Sequence, residues 1–318
     1  MTKFPDFLKK GDEVRIVSPS GVIDSEYVDG AVSLLQKWGY KPTEGMFTRT
    51  AYGRFAGNEQ ERFTDLQQAL DNPNVKAILC SRGGYGIAQI VDRLDFTKFI
   101  QHPKWIIGFS DVTIIHQALN LTGYASLHSV MAKQFTELPA DAEPLLLLEK
   151  ILKGKFPSYK VIPTSYNRSG EAKGKLVGGN LSVFMGMRGT SFDSSFKDSI
   201  LFIEDIGEKP YQIDRMIQNL RISGALRQIS GLIVGQFSDC EEDPDMNNTV
   251  YGLIADAVKD YNYPVCFDFS AGHIDDNYPL IMGATVNLDV DEGGAQISFE
   301  SSFWKKAGQF IKEKIKSK

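Results

Sequence analysis

Through the first half of the chain, short apolar runs alternate with segments whose apolar residues recur every three or four positions. Residues 13–18 alternate into a strand that Pro19-Ser20-Gly21 breaks, and Val28, Val32, Leu35 and Trp38 then mark a helix closed by Gly39. A second helix starts at Asn58, with Glu61 three residues on as a capping-box partner and Phe63, Leu66 and Leu70 on one side. Residues 75–80 form another short apolar strand. It runs into Ser81-Arg82-Gly83-Gly84-Tyr85-Gly86 and a helix with Ile87, Ile90, Val91 and Leu94. Residues 104–109 read as a buried strand, and from Val112 the apolar spacing turns helical at Ile115, Ala118 and Leu119; residues 125–130 read as a further strand. This alternation predicts an α/β fold with a parallel sheet and helices on both faces.

A Leu-rich helix over 142–152 ends at Gly154, and the polar, Pro-containing stretch that follows has no clear periodicity. The expected organisation is an N-terminal α/β domain over 1–154, a linker over 155–174 and a C-terminal α/β domain over 175–302. In the second half, residues 200–205, 232–237 and 265–269 read as strands. Helices around Ile213–Leu220 and Val250–Val258 separate them, and short strands follow at 279–282, 285–291 and 296–299. The lysine-rich residues 303–318 read as a solvated terminal helix with a short apolar face.

Composition narrows the function classes. The 318 residues are 42% hydrophobic and 24% charged, enough apolar material for a real core. A net charge of -5 argues against a nucleic-acid partner, which would call for a basic face. Cys80, Cys240 and Cys266 are widely spaced and odd in number, so neither a disulfide framework nor a zinc site is indicated. Neither a signal peptide nor a membrane span stands out, and a cytoplasmic protein is the expectation.

The stretch with most chemistry is Gly108-Phe109-Ser110-Asp111-Val112, where a buried strand hands a Ser directly to a helix. A Ser on such a turn projects its hydroxyl above the sheet edge, and the helix N-terminal amides point at any oxyanion formed there. The usual G-x-S-x-G elbow is incomplete, because Val112 stands where the second Gly belongs. A plain N-cap serine is the competing reading. Gly83-Gly84-Tyr85-Gly86 resembles a dinucleotide turn only weakly, since Gln89 occupies the third small position. Its glycines are better used to bring the Gly84 amide beside the Asp111 amide as an oxyanion pair.

A serine nucleophile needs a base. Of the four histidines, His102 lies in a polar turn and His116 sits nearly two helical turns beyond Ser110; His128 ends a strand, and His273 occupies a loop after one. The last two are the candidates, because α/β proteins keep catalytic groups at strand ends. The carboxylate that orients the base could come from Glu204 or Asp205, which alternation places on opposite faces of one strand, or from Asp275 or Asp276 beside His273. These residues alone do not choose among the acids.

Taken together, Ser-Arg-Gly-Gly-Tyr-Gly, Gly-Phe-Ser-Asp, Gly-Gly-Asn-Leu, Ile-Glu-Asp and Gly-His, in this order, resemble the serine LD-carboxypeptidase family, which includes muramoyltetrapeptide carboxypeptidases and microcin C immunity peptidases. The resemblance implies Ser110 as nucleophile, Glu204 as carboxylate and His273 as base, without metal or other cofactor. It implies an N-terminal α/β domain and a C-terminal domain with a small barrel-like β portion, usually in a homodimer. The implied substrate is a murein-derived peptide whose terminal D-alanine is released, with a peptidyl or aminoacyl nucleotide as the alternative and a non-catalytic binding module as the reading from another class. An exopeptidase must also read a terminal carboxylate, and Arg82 beside the oxyanion loop is the candidate for that contact. Two features depart from the pattern: His128-Ser129-Val130 stands where relatives often show His-Gly-Pro, and the lysine-rich tail is longer than the family needs.

Overall fold

Five strands from the first half, β1 (Glu13–Val17), β2 (Lys41–Glu44), β3 (Val75–Cys80), β4 (Trp105–Gly108) and β5 (Ser126–His128), lie side by side and parallel in the order β5-β4-β3-β1-β2. Their side chains alternate between two cores. Val14, Ile16, Leu79 and Ile107 pack on one face, while Val17, Ile78, Cys80 and Ile106 pack on the other. That two-sided burial is why these strands read as continuous apolar runs. Helices α1 (Ser25–Lys37), α2 (Glu59–Asp71), α3 (Thr97–Gln101), α4 (Thr113–Thr122), α5 (Ala132–Glu137) and α6 (Glu143–Leu152) follow in chain order. The capping box of α2 forms as its spacing predicts: the Asn58 side chain accepts from the Glu61 amide at 3.0 Å, and the Glu61 carboxylate accepts from the Asn58 amide at 2.7 Å. All of this comes from a computed structural model, which describes residues 2–300; the expected helix at 303–318 lies outside them.

Residues 87–94 depart from the sequence reading. The expected helix is two three-residue 3-10 turns, Ile87–Gln89 and Val91–Arg93. Both geometries place residues three apart on one side, so the apolar spacing is equally consistent with either.

The second sheet has seven strands in the order β10-β9-β8-β7-β12-β13-β6. It is built from β6 (Ser158–Val161), β7 (Gly170–Asn180), β8 (Ser199–Ile206), β9 (Gly231–Ser238) and β10 (Val265–Cys266). Strand β11 (Leu280–Met282) leaves for the other sheet, and β12 (Thr285–Asp291) and β13 (Gly294–Phe299) return. The β7-to-β10 side is parallel, and β12, β13 and β6 are antiparallel. Among the described residues no ladder joins β10 to β6, but an antiparallel bridge pairs Val265 at the outer edge of β10 with Arg168, just before β7. The stretch 155–174, silent in periodicity, contains β6 and the first residues of β7.

Helices α7 (Leu181–Gly186) and α8 (Pro210–Ile222) flank this sheet. Strand β11 adds antiparallel to β5, with Leu280 opposite His128, so the second half of the chain completes the first sheet. The loop carrying His273 is therefore tied at one end to β10 and at the other to β11, the strand beside β5.

Candidate active site

Strand β4 ends at Gly108, whose carbonyl accepts from the Ser129 amide at 3.2 Å and lies 2.9 Å from His116 Nε2. His116 Nδ1 meets the Ser126 hydroxyl at 2.8 Å. Burial holds this imidazole down at about 4, so it is neutral, with Nε2 carrying the proton given to Gly108. His116 is thus a brace for the strand end and not a base.

Ser110 has φ +62. A hydroxyl-bearing N-cap sits in extended backbone, so the N-cap reading fails. A non-glycine residue in the left-handed region costs about 1–3 kcal/mol, and such strain marks the strand-to-helix elbow that exposes a nucleophile. The turn Ser110–Val112 is 3-10 and leads into α4. Gly83 lies directly against it: a Cβ there would stand 2.7 Å from the Ser110 Cβ and 2.9 Å from its Oγ. Among the described residues the amides of Gly84 and Asp111 donate no hydrogen bond.

Of the candidate acids, the sheet brings Glu204 to His273. Glu204 and Asp205 end β8, and both are buried. Glu204 Oε2 accepts from His273 Nδ1 at 2.8 Å. Asp205 faces the other way, where it accepts from the Asn180 amide group at 2.9 Å and the Ser182 backbone amide at 2.8 Å, securing the start of α7. Desolvation pushes its carboxyl up to about 6. Asp275 and Asp276 are exposed.

Gly272, with φ +132, lets the His273 loop pass over the carboxylate, since a Cβ there would sit 2.9 Å from Glu204 Oε2. The Asn277 carbonyl oxygen closes the loop by accepting from the Gly272 amide at 3.0 Å. The Phe109 ring packs on His273 with centroids 4.8 Å apart.

Ser110, His273, Gly83, Gly84 and Arg82 line one cavity of about 580 Å³, within the usual size of a small-ligand site. Arg82 is exposed, and its Nη1 donates to the Val22 carbonyl at 2.8 Å. His102 is exposed. His128 is buried between the Phe109 and Phe202 rings, with centroids 5.7 and 5.0 Å away, and burial holds its imidazole well below the ordinary range. It does not line the cavity.

Three groups escaped sequence reasoning. Lys133 on α5 and Tyr27 on α1 also line the cavity. They are linked through Glu137, which accepts from the Tyr27 hydroxyl at 3.0 Å and lies 3.7 Å from Lys133 Nζ. The position of α5 just beyond the C-terminal end of β5 is the one signal that could have found Lys133. The third group, Asn277, carries no periodic or spacing signal.

The comparisons with known proteins point the same way. A model of the LD-carboxypeptidase N-terminal domain matches residues 14–129, and a model of the LD-carboxypeptidase C-terminal domain matches residues 173–288. The chain is 31% identical over 299 residues to a Bacillus subtilis protein named "Probable murein peptide carboxypeptidase", covering 92% of this chain and 93% of that one. Among solved structures, muramoyltetrapeptide carboxypeptidase from Oxalobacter formigenes superposes with a TM-score of 0.82 at 29% identity, over 91% of this chain and 99% of that one. The microcin C7 self-immunity protein MccF, solved with aspartyl sulfamoyl adenosine, shares the fold with a TM-score of 0.83 at 22% identity, over 95% of this chain and 99% of that one. With both domain models matched in order and a relative of this identity along nearly the whole chain, the protein belongs to the LD-carboxypeptidase family.

Proposed function

We propose that this peptidase is a serine LD-carboxypeptidase that releases the terminal D-alanine of murein tetrapeptides, with Ser110, His273 and Glu204 as its triad. The observation that carries the reading is that a strained Ser110 and His273 line the same cavity, the imidazole being held from behind by a fully buried Glu204 at 2.8 Å. Nδ1–H points at Glu204, which leaves the Nε2 lone pair for the serine.

His273 Nε2 takes the hydroxyl proton as Ser110 Oγ bonds to the scissile carbonyl carbon. The oxygen that becomes negative is received by the amides of Gly84 and Asp111. Collapse of the tetrahedral species breaks the C–N bond, and the proton on Nε2 passes to the departing amine. Water, deprotonated by the same imidazole, then attacks the ester and restores Ser110. Arg82, on the cavity wall, reads the terminal carboxylate.

The same acyl chemistry would serve a peptidyl or aminoacyl nucleotide, and the fold shared with a self-immunity protein makes that the second substrate to test. The test is mass spectrometry of wild type and Ser110→Ala after incubation with a muropeptide tetrapeptide, beside an aminoacyl adenylate analogue. Loss of one alanine from the tetrapeptide by wild type alone supports the first reading. Cleavage of the adenylate analogue alone replaces it with the second.

A further inference from the structure

We propose that the Asp111 carboxylate is a positioning group that sets the distance between the two oxyanion donors by clamping the Gly83–Ile87 loop onto the Ser110 turn. This rests on the proposed roles of Ser110 and of the Gly84 and Asp111 amides.

Asp111 is 2% exposed, yet it follows Ser110 directly on the surface of the cavity. Burying a carboxylate is costly unless donors surround it. Its Oδ2 accepts from the Ser20 hydroxyl at 2.6 Å and from the Ile87 amide at 2.9 Å. One oxygen therefore joins three segments that are remote in sequence: the Ser110 turn, the loop after β1 and the turn after β3. Two further links complete the clamp. The Gly21 amide donates to the Gly83 carbonyl at 3.1 Å. From α2, the buried Arg62 guanidinium donates through Nη1 to the carbonyls of Gly86 at 2.7 Å and Pro19 at 3.2 Å, and through Nη2 to Gln89 Oε1 at 2.6 Å.

One of the two donors belongs to Asp111 itself, and the other sits on the loop that its side chain grips. The backbone of this residue and its carboxylate thus fix the two amides relative to each other. Gly83 leaves little slack, because even a Cβ built on it would stand 2.7 Å from the Ser110 Cβ. A methyl in place of the carboxylate would remove the single oxygen on which both donors converge, leaving the Ser20 hydroxyl and the Ile87 amide without their shared acceptor. The loop would be released without any change in the residues lining the cavity.

The experiment compares wild type, Asp111→Ala and Ser20→Ala for kcat and KM on the tetrapeptide, fluorophosphonate labelling of Ser110, affinity for a peptidyl boronic acid, and thermal midpoint. For Asp111→Ala the expected result is a loss of about 100-fold in kcat, the size seen when one oxyanion donor is lost, with KM within about twofold. The boronic acid should weaken in parallel while the folded fraction is unchanged. Ser20→Ala, which keeps the carboxylate and removes one donor to it, should show a smaller loss of the same kind. A kcat for Asp111→Ala within about threefold of wild type overturns the proposal, as does a change in KM alone. If Asp111→Ala does not fold, an unchanged kcat in Ser20→Ala overturns it. Absence of Ser110 labelling in wild type is a different failure, since it removes the serine reading on which the proposal rests.

Discussion

Glu204 and Asp205 are neighbours on one strand whose buried carboxylates serve opposite faces of it: Glu204 holds His273 at 2.8 Å, and Asp205 holds Asn180 at 2.9 Å and the first turn of α7. A one-residue slip of β8 would exchange the two, since side chains alternate across a strand. The register of β7 against β8, with Asn180 opposite Glu204, prevents that slip.

The first prediction concerns this pair. Glu204→Gln keeps the volume but lets an amide N–H face His273 Nδ1, favouring the tautomer whose Nε2 carries the proton. We expect kcat to fall by about 10³ to 10⁴ with little change in KM. Steady-state kinetics on a tetrapeptide check this, and a fall below tenfold would show that the carboxylate does not set the tautomer.

Gly83→Ala tests the contact with Ser110. The added methyl has no room at 2.7 Å from the Ser110 Cβ, so either the turn or the loop must move. A displacement near 1 Å at the reacting atoms costs on the order of 100-fold in rate. We expect that loss with normal far-ultraviolet dichroism. Wild-type turnover in this variant would mean that the loop gives way freely.

Arg82→Ala addresses the terminal carboxylate. A charge-assisted hydrogen bond is worth about 1.5–3 kcal/mol, so kcat/KM for a free-acid peptide should drop by roughly 10- to 100-fold. The C-terminal amide of the same peptide should be cleaved no worse than by wild type. An equal loss on both peptides would assign Arg82 to the Val22 loop that it holds at 2.8 Å.

Asp205 makes a prediction about stability. Its carboxyl stands at about 6 in the folded chain against 3.8 for the free group. Between these values the folded chain holds a proton that the unfolded chain has released, so the contribution of this group falls as pH rises from 3.8 to about 6. At 1.36 kcal/mol per unit the change is about 3 kcal/mol. Urea unfolding of wild type and Asp205→Asn across pH 4 to 7 should show curves that diverge by about this amount, and parallel curves would place the carboxyl at its ordinary value.

Much of this arrangement is legible in the residues themselves. The alternation of apolar runs and helical spacing marks the parallel sheet because strands buried on both faces have nowhere to place polar side chains. The abrupt change at Ser110 marks the elbow for the same reason. The choice between Glu204 and Asp205 is not legible, because period two separates the faces without saying which one meets the His273 loop. Strand β11 is equally hidden: three apolar residues at 280–282 fit either sheet, and only pairing with β5 decides. The stretch 155–174 hides β6 because an edge strand with half of its side chains in solvent has a weak apolar pattern, here exposed at Ser158 and Lys160 and buried at Tyr159.

Because β11 is laid along β5, the two halves of the molecule are stitched and not merely apposed. Moving them apart would break the ladder at Leu280, Ile281 and Met282 and uncover the edge of β5, exposing unpaired backbone of the kind that recruits other chains. The spacing between Ser110 and His273 is therefore tied to a hydrogen-bonded seam at one end of the His273 loop. A substrate would find the groove already built, and entry and exit would depend on side chains at its rim.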